Sequence, residues 1–128
     1  MNLGVQFSSS RDIYHHFQTR LGNLKQERFI IVILDNKHRF LSETTVTVGL
    51  LNRSLVHPRE VFAEAIEQRA AAIICIHNHP SGGSSPSEED KRITRRLQES
   101  GELLGIPLLD HVIISKEDFT SFADQGWL

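Results

Sequence analysis

Only one cysteine, Cys75, occurs in the 128 residues. It has no partner for an internal disulfide, and a thiolate-rich metal site is out of reach. Zinc deaminases need His-x-Glu and a Cys-x-x-Cys pair, and neither is present. No apolar run is long enough to span a bilayer, and the first residues lack a signal-peptide layout. A cytoplasmic location is therefore expected, with no membrane partner. Neither charge sign dominates: 14 Lys and Arg against 16 Asp and Glu leave a formal net charge of −2. Nothing global points to a polyanion. No repeat, linker or low-complexity segment breaks the chain, so one domain is expected.

What is present is an ordinary globular mixture, 39% apolar and 23% charged. Residues 1–9 carry no periodic signal and are expected to be a flexible N-terminus, with the domain proper at 10–128. Ser10 reads as an N-cap, and Ile13, Phe17 and Leu21 recur every four residues, giving an amphipathic helix that stops near Gly22. Phe29 to Leu34 is a continuous apolar run, the pattern of a strand covered on both faces. Asp35-Asn36-Lys37-His38 is a hairpin-type turn. Arg39 to Val48 then predicts a strand with Phe40, Ser42, Thr44, Val46 and Val48 along one face, and Gly49 marks a bend. Leu50 to Val56 is expected to supply a third strand. Pro58 opens a helix with Val61, Phe62, Ala65 and Ile66 as its apolar stripe, ending near Ala70. Ala70 to Ile76 is a short buried strand, Glu88 to Leu104 a helix closed by Gly105, and Leu108 to Ser115 a last strand. Ser115 to Asp118 is expected to begin a short helical turn, and Phe122 and Trp127 of the tail to tuck against the body or a neighbouring subunit. The order implies an α/β sandwich, a mixed β-sheet with helices on both sides.

The informative stretch is His77-Asn78-His79-Pro80-Ser81-Gly82-Gly83-Ser84-Ser85-Pro86-Ser87-Glu88-Glu89-Asp90. If the strand continues to His79, His77 and His79 project from one face, because side chains alternate with period two. Two imidazoles on one face are half of a metal site, and a catalytic zinc wants a third protein ligand and an open position. Asp90 is the candidate. Pro80 ends the strand, the glycine-rich cluster folds back, and Ser87 starts a helix that carries Asp90 in its first turn. The bland alternative is a capping box, with Ser87 as N-cap and Asp90 in the usual Glu position. A His-x-His at a strand end, followed by this turn and helix start, favours metal.

His77-x-His79-Pro80 with Ser87-x-x-Asp90 resembles the metal-binding signature of the JAB/MPN metalloprotease superfamily, often called JAMM. The longer string His77 to Gly82, with Pro86, Ser87 and Asp90, looks like its RadC-like branch. Val56-His57-Pro58-Arg59-Glu60-Val61-Phe62 and Leu108-Leu109-Asp110-His111 agree with it, so that the resemblance covers nearly the whole chain from about residue 10. It implies an α/β/α fold of the cytidine-deaminase-like kind, a Zn2+ cofactor and hydrolysis of an amide, peptide or isopeptide bond in a peptide or protein substrate. Full-length relatives commonly carry a helix-hairpin-helix DNA-binding region ahead of this domain.

The resemblance places the general base at the start of the first core strand, directly after the first helix, where Glu27 stands. If that strand runs antiparallel beside the one ending at His77, its start faces the other's end. Glu43 is the fallback, and Glu60, Glu64 and Glu67 read as solvent-face helix residues. Ser87 is expected to cap the helix, and its family counterpart stabilises an oxyanion. His111 reads as a structural histidine near the last strand, with orientation of a ligand as the alternative. The rival function is a DNA-repair-associated module that binds nucleic acid or protein without catalysis. Its local support is Lys91, Arg92, Arg95 and Arg96 on one side of a helix, a pattern that Glu88, Glu89 and Glu99 balance as a solvated face. The letters His-Asn-His are not a nuclease motif, whose residues are dispersed over a ββα unit.

Overall fold

The computed structural model describes residues 3–49 and 56–128. The elements among them are α1 (Ser10–Leu21), β1 (Arg28–Leu34), β2 (Phe40–Val48), α2 (Pro58–Glu67), β3 (Ala72–Asn78), α3 (Glu88–Leu104), β4 (Leu108–Ile114) and β5 (Phe119–Ser121). The strands form one mixed sheet in the order β2-β1-β3-β4-β5. β1 is antiparallel to both β2 and β3, β3 and β4 are parallel, and β5 returns antiparallel on β4. The expected third strand at 50–56 lies outside the described residues except for Val56, which is buried.

The unbroken apolar runs of β1 and β3 place them centrally, with helices on both faces. Ile30, Val32, Leu34, Ile74 and Ile76 face α1 and pack with Ile13, Phe17 and Leu21. Phe29, Ile31, Ile33, Ile73 and Cys75 face α2 and α3 and pack with Val61, Phe62, Ala65, Ile93 and Leu97. Cys75 is fully buried, and burial raises its thiol pKa well above the ordinary value. α3 passes very close to the strand that follows it: a Cβ on Gly101 would meet the Ile106 carbonyl oxygen at 2.5 Å. Only glycine permits that approach.

Several expectations need correction. The α1 N-cap is Ser9, not Ser10, its hydroxyl accepting from the Asp12 N–H. Residues before α1 are tied to the β2 end from Gly4 onward by Gly4 N–H to Phe40 C=O and Phe40 N–H to Val5 C=O, and Phe7 is buried. The five β2 side chains expected on one face are split by two irregularities in its pairing, between Phe29 and Ile30 and between Ile33 and Leu34. Each inserts one extra β2 residue and flips the alternation. Phe40 packs on the α1 side, Val46 packs on the other, and Val48 is exposed. α2 ends at Glu67, and Ile66 points to solvent. After Ser115 the chain makes the short strand β5 rather than a helical turn. Phe122 is buried as expected, with Trp127 packed edge-on against it.

Candidate metal centre

His77 lies on the β3 face that also carries Ile73 and Cys75, so it points toward α3 rather than α1. His79 follows the strand, its N–H continuing the ladder to the Ile114 carbonyl. The two rings stand perpendicular with centroids 4.8 Å apart. Gly82 and Gly83 have φ of +90° and +73°, a left-handed pair that a side chain would strain, and they turn the chain back toward α3. Ser84 pins this loop to β5 through a 2.8 Å hydroxyl contact with Thr120. Ser87 then caps α3. Its Oγ accepts the Asp90 N–H at 3.0 Å, and the Asp90 carboxylate accepts the Ser87 N–H at 2.8 Å. The capping box is real, and it is also what aims Asp90.

Asp90 is 2% exposed. One carboxylate oxygen lies 3.2 Å from His79 Nε2 and the other 3.6 Å from His77 Nδ1. From the opposite side the Glu27 carboxylate approaches His77 Nε2 at 3.7 Å. Glu27, His77 and His79 each bring one ligand atom within 4.8 Å of the others. Ligands at about 2.1 Å from a tetrahedral ion sit about 3.4 Å apart, close to the 3.7 Å between Glu27 and His77 Nε2, whereas Asp90 faces the other ring nitrogen of His77 and lies outside this convergent set. Both ring nitrogens of His77 are buried without a hydrogen-bond partner. An unsatisfied buried imidazole is costly in the metal-free chain, and a bound cation would relieve it.

The electrostatics fit. Burial alone would raise the Asp90 pKa, but the hydrogen bond to His79, the Ser87 N–H and the nearby His77 hold it well below the ordinary value. The hydrogen bond to Asp90 raises that of His79 against the opposing effect of burial. Behind the site, His111 is fully buried, stacked on Phe122 with centroids 4.7 Å apart. Its Nδ1 meets the Thr94 hydroxyl at 2.6 Å, and that hydroxyl also reaches the Asp90 carbonyl at 2.7 Å. Burial, then His77, pushes the His111 pKa down to about 3, so it is neutral. Asp110, raised by burial, accepts from Ser121 and Ala123 and anchors the turn after β5.

Glu43 is not part of the site. It sits opposite Val32 on the α1 side of the sheet, where Arg20 holds both its oxygens at 2.9 Å. Glu60, Glu64 and Glu67 are exposed on α2. Two contributors escaped the sequence reading. Thr94 is four residues after Asp90 and reads as an ordinary helix residue. Asn78 is hidden between two histidines.

A mixed sheet between helices, carrying a carboxylate-flanked pair of histidines where a central strand ends, is the arrangement of a JAB-type domain. The family model for the RadC-like JAB domain matches residues 7–127. A UPF0758 protein of Syntrophotalea carbinolica is 49% identical over 125 residues, 98% of this chain and 55% of that protein. One from Methanospirillum hungatei is 54% identical over 110 residues, 86% of this chain and 49% of that protein. One from Bacillus licheniformis is 53% identical over 105 residues, 82% of this chain and 47% of that protein. The chain belongs to the RadC-like JAB domain family and spans about half the length of the curated relatives it matches. No helix among the described residues is long and apolar enough to cross a membrane.

Proposed function

We propose that this domain is a zinc-dependent hydrolase of the JAMM type that cleaves an amide, peptide or isopeptide bond in a peptide or protein substrate. The observation that carries it is His77, buried with both ring nitrogens unsatisfied between the carboxylates of Glu27 and Asp90. His77, His79 and Asp90 would hold the ion. When bound, zinc would polarise the scissile carbonyl and lower the pKa of a bound water to about 7.

Exposure separates the two carboxylates. Asp90 is sealed at 2% and fixed by the capping box, which suits a ligand. The Glu27 side chain is 22% exposed and lines a recess of about 320 Å³ with Lys25, Gln26, Gly49, Pro80 and Ser81. That access to solvent supports Glu27 as the general base, which would take a proton from the attacking water and return it to the leaving amine. The Ser87 Oγ accepts the Asp90 N–H, so the cap does not use its hydroxyl hydrogen, which is left to donate to an oxyanion. Such a donor contributes about 3 kcal/mol to barrier lowering. A cytoplasmic location belongs to the same proposal, supported by the one buried thiol.

A second reading, association with DNA, draws on α3. Lys91 and Arg95 line a recess of about 230 Å³ with Thr94, Phe122 and Trp127. Arg92, Arg95 and Arg96 line an adjoining one of about 240 Å³ with Glu99. Against it, Lys91 is 3.7 Å from Glu88 and Arg92 3.7 Å from Glu89, the self-neutralised face expected of a solvated helix. The hydrolase is preferred. Metal analysis of the purified chain tests it: one zinc per chain, lost in His77→Ala and in Asp90→Ala, is the expected result. Zinc content indifferent to both substitutions would refute it.

A further inference from the structure

The β1–β3 ladder stops at the pair Phe29 and His77, one residue short of Asn78. Past that point the backbone of β3 offers β1 nothing, yet Glu27 lies beyond the ladder's end. The Asn78 side chain takes over. Its Oδ1 accepts the Arg28 N–H at 2.6 Å, and its Nδ2 donates to the Gln26 carbonyl at 3.0 Å. These groups bracket Glu27 on both sides. Asn78 is 1% exposed, and its amide satisfies both partners in one orientation only, since a flip would set donor against donor. From the β2 side the Gly49 N–H holds the Glu27 carbonyl at 2.8 Å.

We infer that Asn78 is a positioning residue for Glu27, a side-chain amide that extends the sheet by one peptide equivalent and fixes where the Glu27 carboxylate meets His77. The inference rests on the metal and general-base reading above. The residue type follows from the task. Bridging an N–H and a C=O two residues apart takes one acceptor and one donor on a planar amide. Serine is too short to reach both, and alanine leaves both without a partner. The clamp also explains why the middle position of His-x-His is buried although it faces away from the metal: one strand end sets the two ligands and, through the residue between them, the base.

The test uses the full chain and Co2+ as a visible probe, comparing wild type, Asn78→Ala, Glu27→Gln and the double variant. Three quantities are read: Co2+ affinity, the pH midpoint of the Co2+ absorption spectrum, and hydrogen exchange at the Arg28 amide. Asn78→Ala is expected to bind one Co2+ within about threefold of wild-type affinity and to exchange Arg28 at least tenfold faster. Its spectral midpoint moves in the same direction as in Glu27→Gln, and the double variant moves no further, because both changes remove one effect. A midpoint unchanged in Asn78→Ala while Glu27→Gln shifts it overturns the inference, whatever happens to the melting temperature. Should the alanine variant not fold, Asn78→Ser is judged by the same criterion. If wild type binds no Co2+, or His77→Ala binds it equally well, the metal reading falls. The clamp then stands or falls on Arg28 exchange, and a wild-type rate in the variant overturns it.

Discussion

Asp90→Asn separates the two jobs of one side chain. The amide oxygen of asparagine still accepts the Ser87 N–H, so the capping box that starts α3 survives. The carboxylate that lies 3.2 Å from His79 and 3.6 Å from His77 is gone. In the metal-free chain the change therefore costs about 2 kcal/mol, the scale of a lost charge-assisted hydrogen bond to His79. The zinc response is a different matter. A ligand at one hundred times its Kd stabilises the folded state by about 2.7 kcal/mol. At about 2.1 cal/mol/K per residue, 128 residues unfold with an entropy near 0.27 kcal/mol/K, so zinc raises the wild-type Tm by about 10 °C. Thermal unfolding of chelated and zinc-loaded protein is the assay. Wild type and Glu27→Gln are expected to show the full rise, and Asp90→Asn less than about 2 °C. A full rise in Asp90→Asn together with its loss in Glu27→Gln would make Glu27 the third ligand and refute the division of roles. No rise in wild type would remove the metal centre.

Three further outcomes follow from the same geometry. Glu27→Gln is expected to keep one zinc per chain and to lose at least about 100-fold in hydrolysis of an amide or isopeptide substrate, and activity that survives the change removes the general-base assignment. In chelated protein, His111 makes stability fall as pH drops from about 6.5 toward 3: its folded pKa of about 3 lies below the unfolded value, so the unfolded chain takes up the proton first. His79, raised by Asp90, works with the opposite sign, its contribution present below about 6.5 and lost as pH rises through its folded value. The Tm of His111→Gln should decline less steeply between pH 6.5 and 4.5, and parallel curves would show the reasoning wrong. If the basic face of α3 meets phosphates, fluorescence anisotropy at low salt should detect an oligonucleotide, and Arg95→Ala with Arg96→Ala should weaken binding and flatten its salt slope by up to about two. No binding at low salt disposes of that reading.

Legibility in the sequence followed the range of the forces involved. Elements set by local pattern are where the periodicity places them: the apolar runs of β1 and β3, the helix from Glu88 to Leu104 between its caps Ser87 and Gly105, and the proline that opens α2. The exceptions depend on partners far along the chain. The β2 faces are decided by two irregularities in its pairing with β1, which no alternation within β2 announces. β5 exists because β4 offers an edge and Asp110 holds the following turn. Ile66 fits the helical stripe and still faces solvent, because none of the described residues buries that part of α2.

The site divides along the same line. His-x-His at a strand end and Ser-x-x-Asp at a helix start are short-range arrangements, so the chain's own spacing fixes that two imidazoles share a face and that an aspartate caps the next helix. Which glutamate joins them is a matter of sheet order. β1 runs antiparallel beside β3, which carries Glu27 to His77, while β2 turns Glu43 to the far face and into the grasp of Arg20. Thr94, His111 and Asn78 act through residues 17 to 52 positions away, and only folding brings such partners within hydrogen-bond reach.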